Sequence, residues 1–408
     1  MSFRTAGDAQ LVQQFFKLFY ERNYVNPFIP SKMEKREFGY TPFGQKIMVR
    51  HLSFRNFDEL HKTLVKEAPL HVYRSAAIYQ YPEAPMEEKG WLGAELIFDI
   101  DADHLNTSCK QTHDYFICVS CSTRFSDKTS KCQQCGREVL EVSLVCETCL
   151  NTTKQEMMKL IDFMENDIGL NEFTLSFSGN RGYHLAIPAD DVLELERAAR
   201  QEIVDYVTGN TMDFRMHGLL TGFDNSSPGY SDLGWRGRAT REIKNILLRL
   251  FEQDNLVIEK IGKSLTPRYL KNLQTVAAYW STQPRWDLIQ RPQDFAHVVA
   301  LAVENLAAHI DTVVTTDVHR LLRLADTLNG KTGLKAAIID PDDLESFDPL
   351  TDTVVLPEEP MLKVKIIHSP RITLKQTQYG PFNHEVVKLP AYAAVFFACK
   401  GLATTINE

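Results

Sequence analysis

Apolar positions recur along this chain in two periods, one helical and one alternating. Residues 8–23, DAQLVQQFFKLFYERN, set Leu11, Phe15, Leu18 and Phe19 at helical spacing behind an Asp able to cap an N-terminus, which predicts a helix. KIMVRHLSF (46–54) and YRSAAIYQY (73–81) are short and rich in β-branched or aromatic residues, which predicts strands. They lead into ELIFDIDADHL (95–105), an apolar strand that ends in Asp99, Asp101 and Asp103. Large apolar residues then thin out between 104 and 150, where seven of the eight cysteines fall among Ser, Thr, Lys and Gln. TTKQEMMKLIDFMENDI (152–168) restores the helical period through Met157, Leu160, Ile161, Met164 and Ile168, with Gly169 as its stop. EFTLSFSGNRGYHLAIP (172–188) reads as strand, glycine-containing turn and strand, closed by Pro188.

From about 190 to 308 the pattern is largely helical, in DDVLELERAARQEIVDYV, REIKNILLRLFEQ and DFAHVVALAVENLAAHI, with a Gly, Ser and Pro-rich stretch at 222–238. Residues 340–360 are acidic and punctuated by proline, which predicts a solvated connection without chemistry. The alternation returns in LKVKIIH (362–368), and PAYAAVFFACKGLA (390–403) predicts a closing helix.

Composition narrows the classes. A hydrophobic content of 44%, a charged content of 24% and the absence of low-complexity tracts describe a globular chain with room for about two to four domains. There is no apolar run of membrane-spanning length and no basic-then-apolar leader, so a soluble, cytoplasmic protein that makes no membrane contact is expected. A formal net charge of −8 argues against broad adhesion to nucleic acid but leaves room for one basic cleft.

Four stretches can carry chemistry. In a strand, Asp99 and Asp101 share a face at roughly 7 Å, at about 3.3 Å rise per residue. They repel unless a cation lies between them, and a hard divalent ion suits carboxylate oxygens. The plainer reading is that the acids merely end the strand. In SFSGNRGYH (176–184), two glycines allow a tight turn that presents Ser178, Arg181 and His184 together, a set that suits phosphate; a polar hairpin is the alternative. HIDTVVTTDVHRLLRLADTLNGKTG (309–333) reads as a cationic helix and loop with an acidic start, and its composition leaves open whether Asp311 or Asp317 joins the acidic strand.

The cysteines speak most clearly. Cys118/Cys121, Cys132/Cys135 and Cys146/Cys149 are three pairs of two-residue spacing, each able to place two thiolates on one tetrahedral Zn²⁺. Six thiolates exceed one site, and Cys109 with His113 completes a second. The preferred partition puts one structural zinc on Cys118, Cys121, Cys132 and Cys135, and another on Cys109, His113, Cys146 and Cys149. Both would staple a segment too poor in apolar residues to hold a core. Iron–sulfur ligation is a weaker reading, and Cys399 reads as a buried apolar residue.

Taken in order, REFGY, MVRHLSF, ELIFDIDADH, SGNRGYH, IDTVVTTDVHRLLRL and KTG make the chain resemble the small, catalytic subunit of archaeal and eukaryotic DNA primases, the archaeal members most closely. The resemblance implies an α+β fold: a primase-type catalytic core with mixed sheets, an inserted zinc-binding module and a helical subdomain. The core would occupy 1–103, 151–189 and 309–408, with the acidic loop 340–360 in its last part. The two-site zinc insertion would be 104–150 and the helical subdomain 190–308.

The same resemblance makes Asp99, Asp101 and Asp311 the catalytic ligands of Mg²⁺ or Mn²⁺. It makes Arg50, Ser178, Arg181, His184 and Arg323 the nucleotide-binding set. It departs at Asn329, where many relatives carry His. The implied activity is that of a DNA-directed RNA polymerase of primase type, a nucleotidyltransferase that makes short RNA primers and can extend with deoxynucleotides. The implied partners are a large primase subunit in a heterodimer, a single-stranded DNA template, NTPs and dNTPs, with nucleoid association in an archaeal cell. Two other readings stand beside it: a repair primase-polymerase of the same superfamily, and a non-catalytic zinc-ribbon nucleic-acid-binding protein.

Overall fold

The computed structural model describes residues 3–22, 24, 27–220, 227–262, 265–289 and 291–406. The chain forms two compact units. One gathers Met1–Glu156, Glu172–Arg200 and Ile310–Glu408; the other gathers Met157–Asn171 and Gln201–His309. The class is α+β, and no helix among the described residues is long and apolar enough to cross a membrane.

In the first unit, the helix Ala6–Arg22 buries Val12, Phe15, Phe16, Phe19 and Tyr20, while Leu11 and Leu18 of the expected face are half-buried. Two four-stranded sheets carry the residues of interest. One runs in the order Leu321–Arg323, His71–Ser75, Phe38–Thr41, Val49–Leu52; the other runs Ile338–Ile339, Thr174–Phe177, Gly182–Ile187, Leu96–Asp101. In the last strand Leu96, Ile97, Phe98 and Ile100 are buried while Asp99 and Asp101 are half-buried, so the two carboxylates share the open face. The cysteine-rich segment holds a small sheet of its own, with Asp114–Cys118 between Arg124–Phe125 and Val139–Ser143.

Within the α+β class, all the strand pairs described run antiparallel rather than mixed. For Thr174–Phe177 and Gly182–Ile187 the reason is local, since the four-residue turn between them is too short for the crossover that parallel strands need.

Four other expectations change. The strand expected over 73–81 divides between His71–Ser75 and Ala77–Tyr79, which belong to two different sheets. The stretch 309–333 is not a cationic helix: after the short helix Thr312–Thr316, residues Leu321–Arg323 form a strand against His71–Ser75. Leu322 and Leu324 turn inwards on either side of Arg323, an alternation masked by the adjacent Leu321–Leu322 pair. The acidic 340–360 connection is less solvated than its charge suggests, because Leu344, Leu350, Val354 and Leu356 are buried beneath it. Residues 190–207 split into Asp190–Leu193 and Arg197–Thr208.

The helix expected over 152–168 spans Glu147–Phe163 and continues as a π turn, Met164–Ile168, that Gly169 closes at φ 81°. In the second unit the helices Gly234–Phe251, Pro267–Ala277 and Pro292–Leu306 enclose Ile243, Leu247, Leu273, Trp280, Phe295 and Val299. Of the Gly, Ser and Pro-rich stretch, residues 222–226 lie outside the described residues, and Gly234 already begins a helix.

Candidate functional site

The sheet pairing sets the acidic site. His184 lies directly across from Asp99, and Gly182 across from Asp101. The third carboxylate arrives from the far end of the chain: the backbone N–H of Asp311 donates to the carbonyl oxygen of Asp99 at 2.8 Å, and Asp311 Oδ1 caps the helix Thr312–Thr316 by accepting from Val313 N at 3.0 Å. Asp317 stays outside this group and caps the chain locally, accepting from His319 N at 3.0 Å.

Asp99 Oδ1 is buried with no hydrogen-bond partner, although His184 Nε2 stands 3.5 Å away. Burial, then the charges of Asp101 and Asp311, push the Asp99 carboxyl up to about 7. Burial, then Arg323, holds His184 down at about 4, so its ring is neutral at pH 7 and offers no compensating charge. An orphaned buried carboxylate oxygen beside two further carboxylates fits a divalent cation.

The turn between Phe177 and Gly182 is braced from within and below. Ser178 Oγ accepts from Gly182 N at 3.1 Å, and Ser178 O accepts from Asn329 Nδ2 at 2.8 Å. Asn329 is buried, and its Oδ1 accepts from Lys331 N at 2.9 Å, so both ends of its amide hold loops together. Lys400, at the end of the helix Ala391–Cys399, donates to Asn180 Oδ1 at 3.1 Å and to Ser143 O at 2.8 Å. Beside this turn lies a cleft of about 420 Å³ whose lining includes Lys46, Asp103, Lys331 and Lys400.

The expected arginines do not converge on one open point. Arg50 is partly exposed and anchored on Glu37, with Nε 3.0 Å from Oε1 and Nη2 3.3 Å from Oε2. Arg323 Nη1 lies 3.0 Å from His71 Nδ1 and its guanidinium stacks over Tyr73. Arg181 is 2% exposed and faces Asp103 and Asp114.

The cysteines gather in two sets, Cys109, His113, Cys146 and Cys149, and Cys118, Cys121, Cys132 and Cys135, with the ligand atoms of each set within 4.8 Å of one another. Both can hold a metal ion. In the first, His113 Nδ1 donates to Asp114 Oδ1 at 2.8 Å, which leaves Nε2 facing Cys149 Sγ at 3.4 Å. A carboxylate behind the imidazole fixes its tautomer for ligation. Thiols and an imidazole in fours suit tetrahedral zinc.

A family model described as DNA primase small subunit matches residues 98–341. The chain is 32% identical to the DNA primase small subunit PriS of Nitrosopumilus maritimus, over 97% of this chain and 98% of that protein. It is 33% identical to PriS of Cenarchaeum symbiosum over the same shares, and 30% identical to PriS of Archaeoglobus fulgidus over 95% and 96%. The chain belongs to the DNA primase small subunit family.

For this primase-family chain, sequence reasoning missed the residues that hold others in place. Glu37 is fully buried beneath Arg50 and also meets Lys89 Nζ at 3.4 Å. It sits inside REFGY (36–40), but a lone acid beside an Arg carries no spacing signal. His71 and Tyr73 support Arg323 from the strand His71–Ser75, and His71 lies outside the stretch 73–81 that reads as strand. Asp103 reads as the end of the acidic strand, just before the cysteine segment, and Asp114 lies within that segment with no spacing signal of its own, yet both pair with Arg181.

Proposed function

We propose that the chain catalyses DNA-templated nucleotidyl transfer and synthesises short RNA primers, with the capacity to extend with deoxynucleotides. The observation that carries this is the buried, unpartnered Oδ1 of Asp99 beside Asp101 and Asp311. Those three aspartates would hold two ions of Mg²⁺ or Mn²⁺. When bound, such ions activate a 3′-hydroxyl and neutralise charge on a triphosphate.

The chain's own groups do the remaining work. Asp99, Asp101 and Asp311 fix the site from two elements joined by a main-chain hydrogen bond. Neutral His184 can donate a hydrogen bond to a phosphate oxygen without repelling the bound cations. Ser178 shapes the glycine turn beside the acids, while Arg50 and Arg323 bring fixed positive charge, each preset by its own anchor. With Ser178 and His184, and with Arg181 acting through the glycine turn it holds, they form the proposed nucleotide-binding set.

On this reading the catalytic core comprises 1–103, 151–189 and 309–408, interrupted by the zinc-binding insertion 104–150 and the helical part 190–308. The two cysteine sets would each hold a structural Zn²⁺. The partners would be a large primase subunit, a single-stranded DNA template, NTPs and dNTPs, inside the cell.

The test is template-dependent dinucleotide formation on single-stranded DNA by the chain with its co-purified partner, compared with Asp99→Ala. Loss of product with the fold intact supports the reading. Activity untouched by the substitution refutes the metal assignment.

A further inference from the structure

The one buried arginine of the glycine turn is attached to the cysteine segment rather than left open to solvent. Arg181 Nη1 lies 2.9 Å from both carboxylate oxygens of Asp114 and 3.2 Å from Leu144 O. Its Nη2 pairs with Asp103, and its Nε is buried. Asp114 is bound from two further sides: His113 Nδ1 donates to its Oδ1, and Leu144 N donates to the same oxygen at 3.2 Å. Asp103 in turn donates its own N–H to Asp101 Oδ1 at 2.9 Å. A continuous polar path therefore runs from the Cys109, His113, Cys146, Cys149 set through Asp114 and Arg181 to the acidic strand.

We infer that Asp114 is a positioning residue: it couples the cysteine–histidine metal set to the glycine turn and the Asp99–Asp101 strand, with Arg181 as the strut between them. The physical reason lies in the balance of charge. A guanidinium 2% exposed stays buried only if paired, and its two carboxylate partners leave little of it free for a phosphate. Contacts at both ends, Nη1 to Asp114 and Nη2 to Asp103, fix the plane of the guanidinium, so the orientation of Asp114 is passed to the turn. That orientation is itself set by His113, whose ring turns Nε2 to the thiols when Nδ1 is held by Asp114. Removing metal from this set frees the ring, then the carboxylate, then the strut. The other set, Cys118, Cys121, Cys132 and Cys135, makes no side-chain hydrogen bond to Asp114 or Arg181 among the bonds described.

The coupling stands on this geometry alone; its consequence for nucleotide binding rests on the function proposed above. Hydrogen exchange on the full chain tests the coupling. Stripping all zinc, or substituting Asp114→Ala, is expected to speed exchange in residues 178–184 by at least tenfold, while a Cys121→Ser/Cys135→Ser variant leaves that segment protected. Asp114→Asn, which keeps the shape and loses the charge, serves if the alanine variant does not fold. Unchanged protection in a folded Asp114 variant overturns the proposal.

A second arm measures equilibrium binding of a non-hydrolysable nucleoside triphosphate with Mn²⁺. Asp114→Ala and Arg181→Ala should weaken binding by the same factor, and the double variant no further. A loss for Arg181→Ala with none for Asp114→Ala overturns the strut and makes Arg181 a direct phosphate contact. Absence of nucleotide binding by the unsubstituted chain sinks the functional reading instead, and the exchange result alone then decides the coupling.

Discussion

The main-chain N–H of Asp311 donates to the main-chain carbonyl of Asp99 at 2.8 Å. The approach of the third aspartate to the acidic strand is thus set by backbone, and one of its carboxylate oxygens is used as a helix cap, accepting from Val313 N and Val314 N. The cap and the proposed metal ligand can be separated by experiment, because Asn caps as well as Asp but carries no charge. Asp311→Asn is expected to keep its Tm within about 2 °C of the parent and to lose on the order of 10²–10³-fold in nucleotidyl transfer. Thermal melts alongside dinucleotide assays check it. A fall in Tm that tracks the loss of activity would show that Asp311 matters as a cap.

Asp99 makes the metal-free protein sensitive to pH in a defined direction. Its folded carboxyl is raised to about 7, chiefly by burial and then by Asp101 and Asp311, whereas an unfolded Asp ionises near about 3.9. The folded state therefore holds a proton that the unfolded state has released. The stability this confers is complete below about pH 4 and is lost as pH rises through about 7. Without divalent ions at pH 8, Asp99→Asn should be more stable than the parent by about 1–3 kcal/mol, and the gap should close towards pH 4. Denaturant titrations across that range test it, and parallel curves for the two proteins would rule it out. Mn²⁺ competes with the same proton, so its apparent affinity should rise from pH 6 to pH 8.

Metal content discriminates between partitions of the cysteines. Two sets of four ligands predict zinc near two per chain. Cys132→Ser should release about one equivalent and loosen the exposed ribbon, leaving Cys109, His113, Cys146 and Cys149 loaded. Elemental analysis of both proteins is the check. A parent value near one would overturn the two-site assignment.

Periodicity made much of this legible. The helix Ala6–Arg22, the strand Leu96–Asp101 and the hairpin around Gly179 follow from spacing and turn chemistry. Both cysteine sets follow from paired spacing with Cys109 and His113 completing the second. What spacing could not reach were the partners brought in by tertiary structure. Arg181 resembles a phosphate ligand in isolation, and only folding brings Asp103 and Asp114 onto it. Arg320–Arg323 reads as helical because two leucines are adjacent; its strand form depends on the His71–Ser75 edge it pairs with. Leu344 and Leu350 were outweighed by the acids around them, since charge density hides a few apolar residues that do bury.

Gly179 offers a final test, because two constraints meet there. Its φ is 77°, a conformation that costs a residue with a Cβ about 1–2 kcal/mol. A Cβ would also stand 2.8 Å from Asn329 Cβ and 3.1 Å from Leu334 O, and the second is backbone that cannot turn aside. Overpacking of this kind costs about 1–3 kcal/mol, so Gly179→Ala should destabilise by about 2–5 kcal/mol in total. Asn329→Ala removes the bond to Ser178 O without adding a clash and should cost less, about 1–2 kcal/mol. Denaturant unfolding of the two variants gives the ranking. If Asn329→Ala proves the more damaging, the turn is held mainly by its hydrogen bonds to the 329–336 loop, and the close approach at Gly179 is incidental.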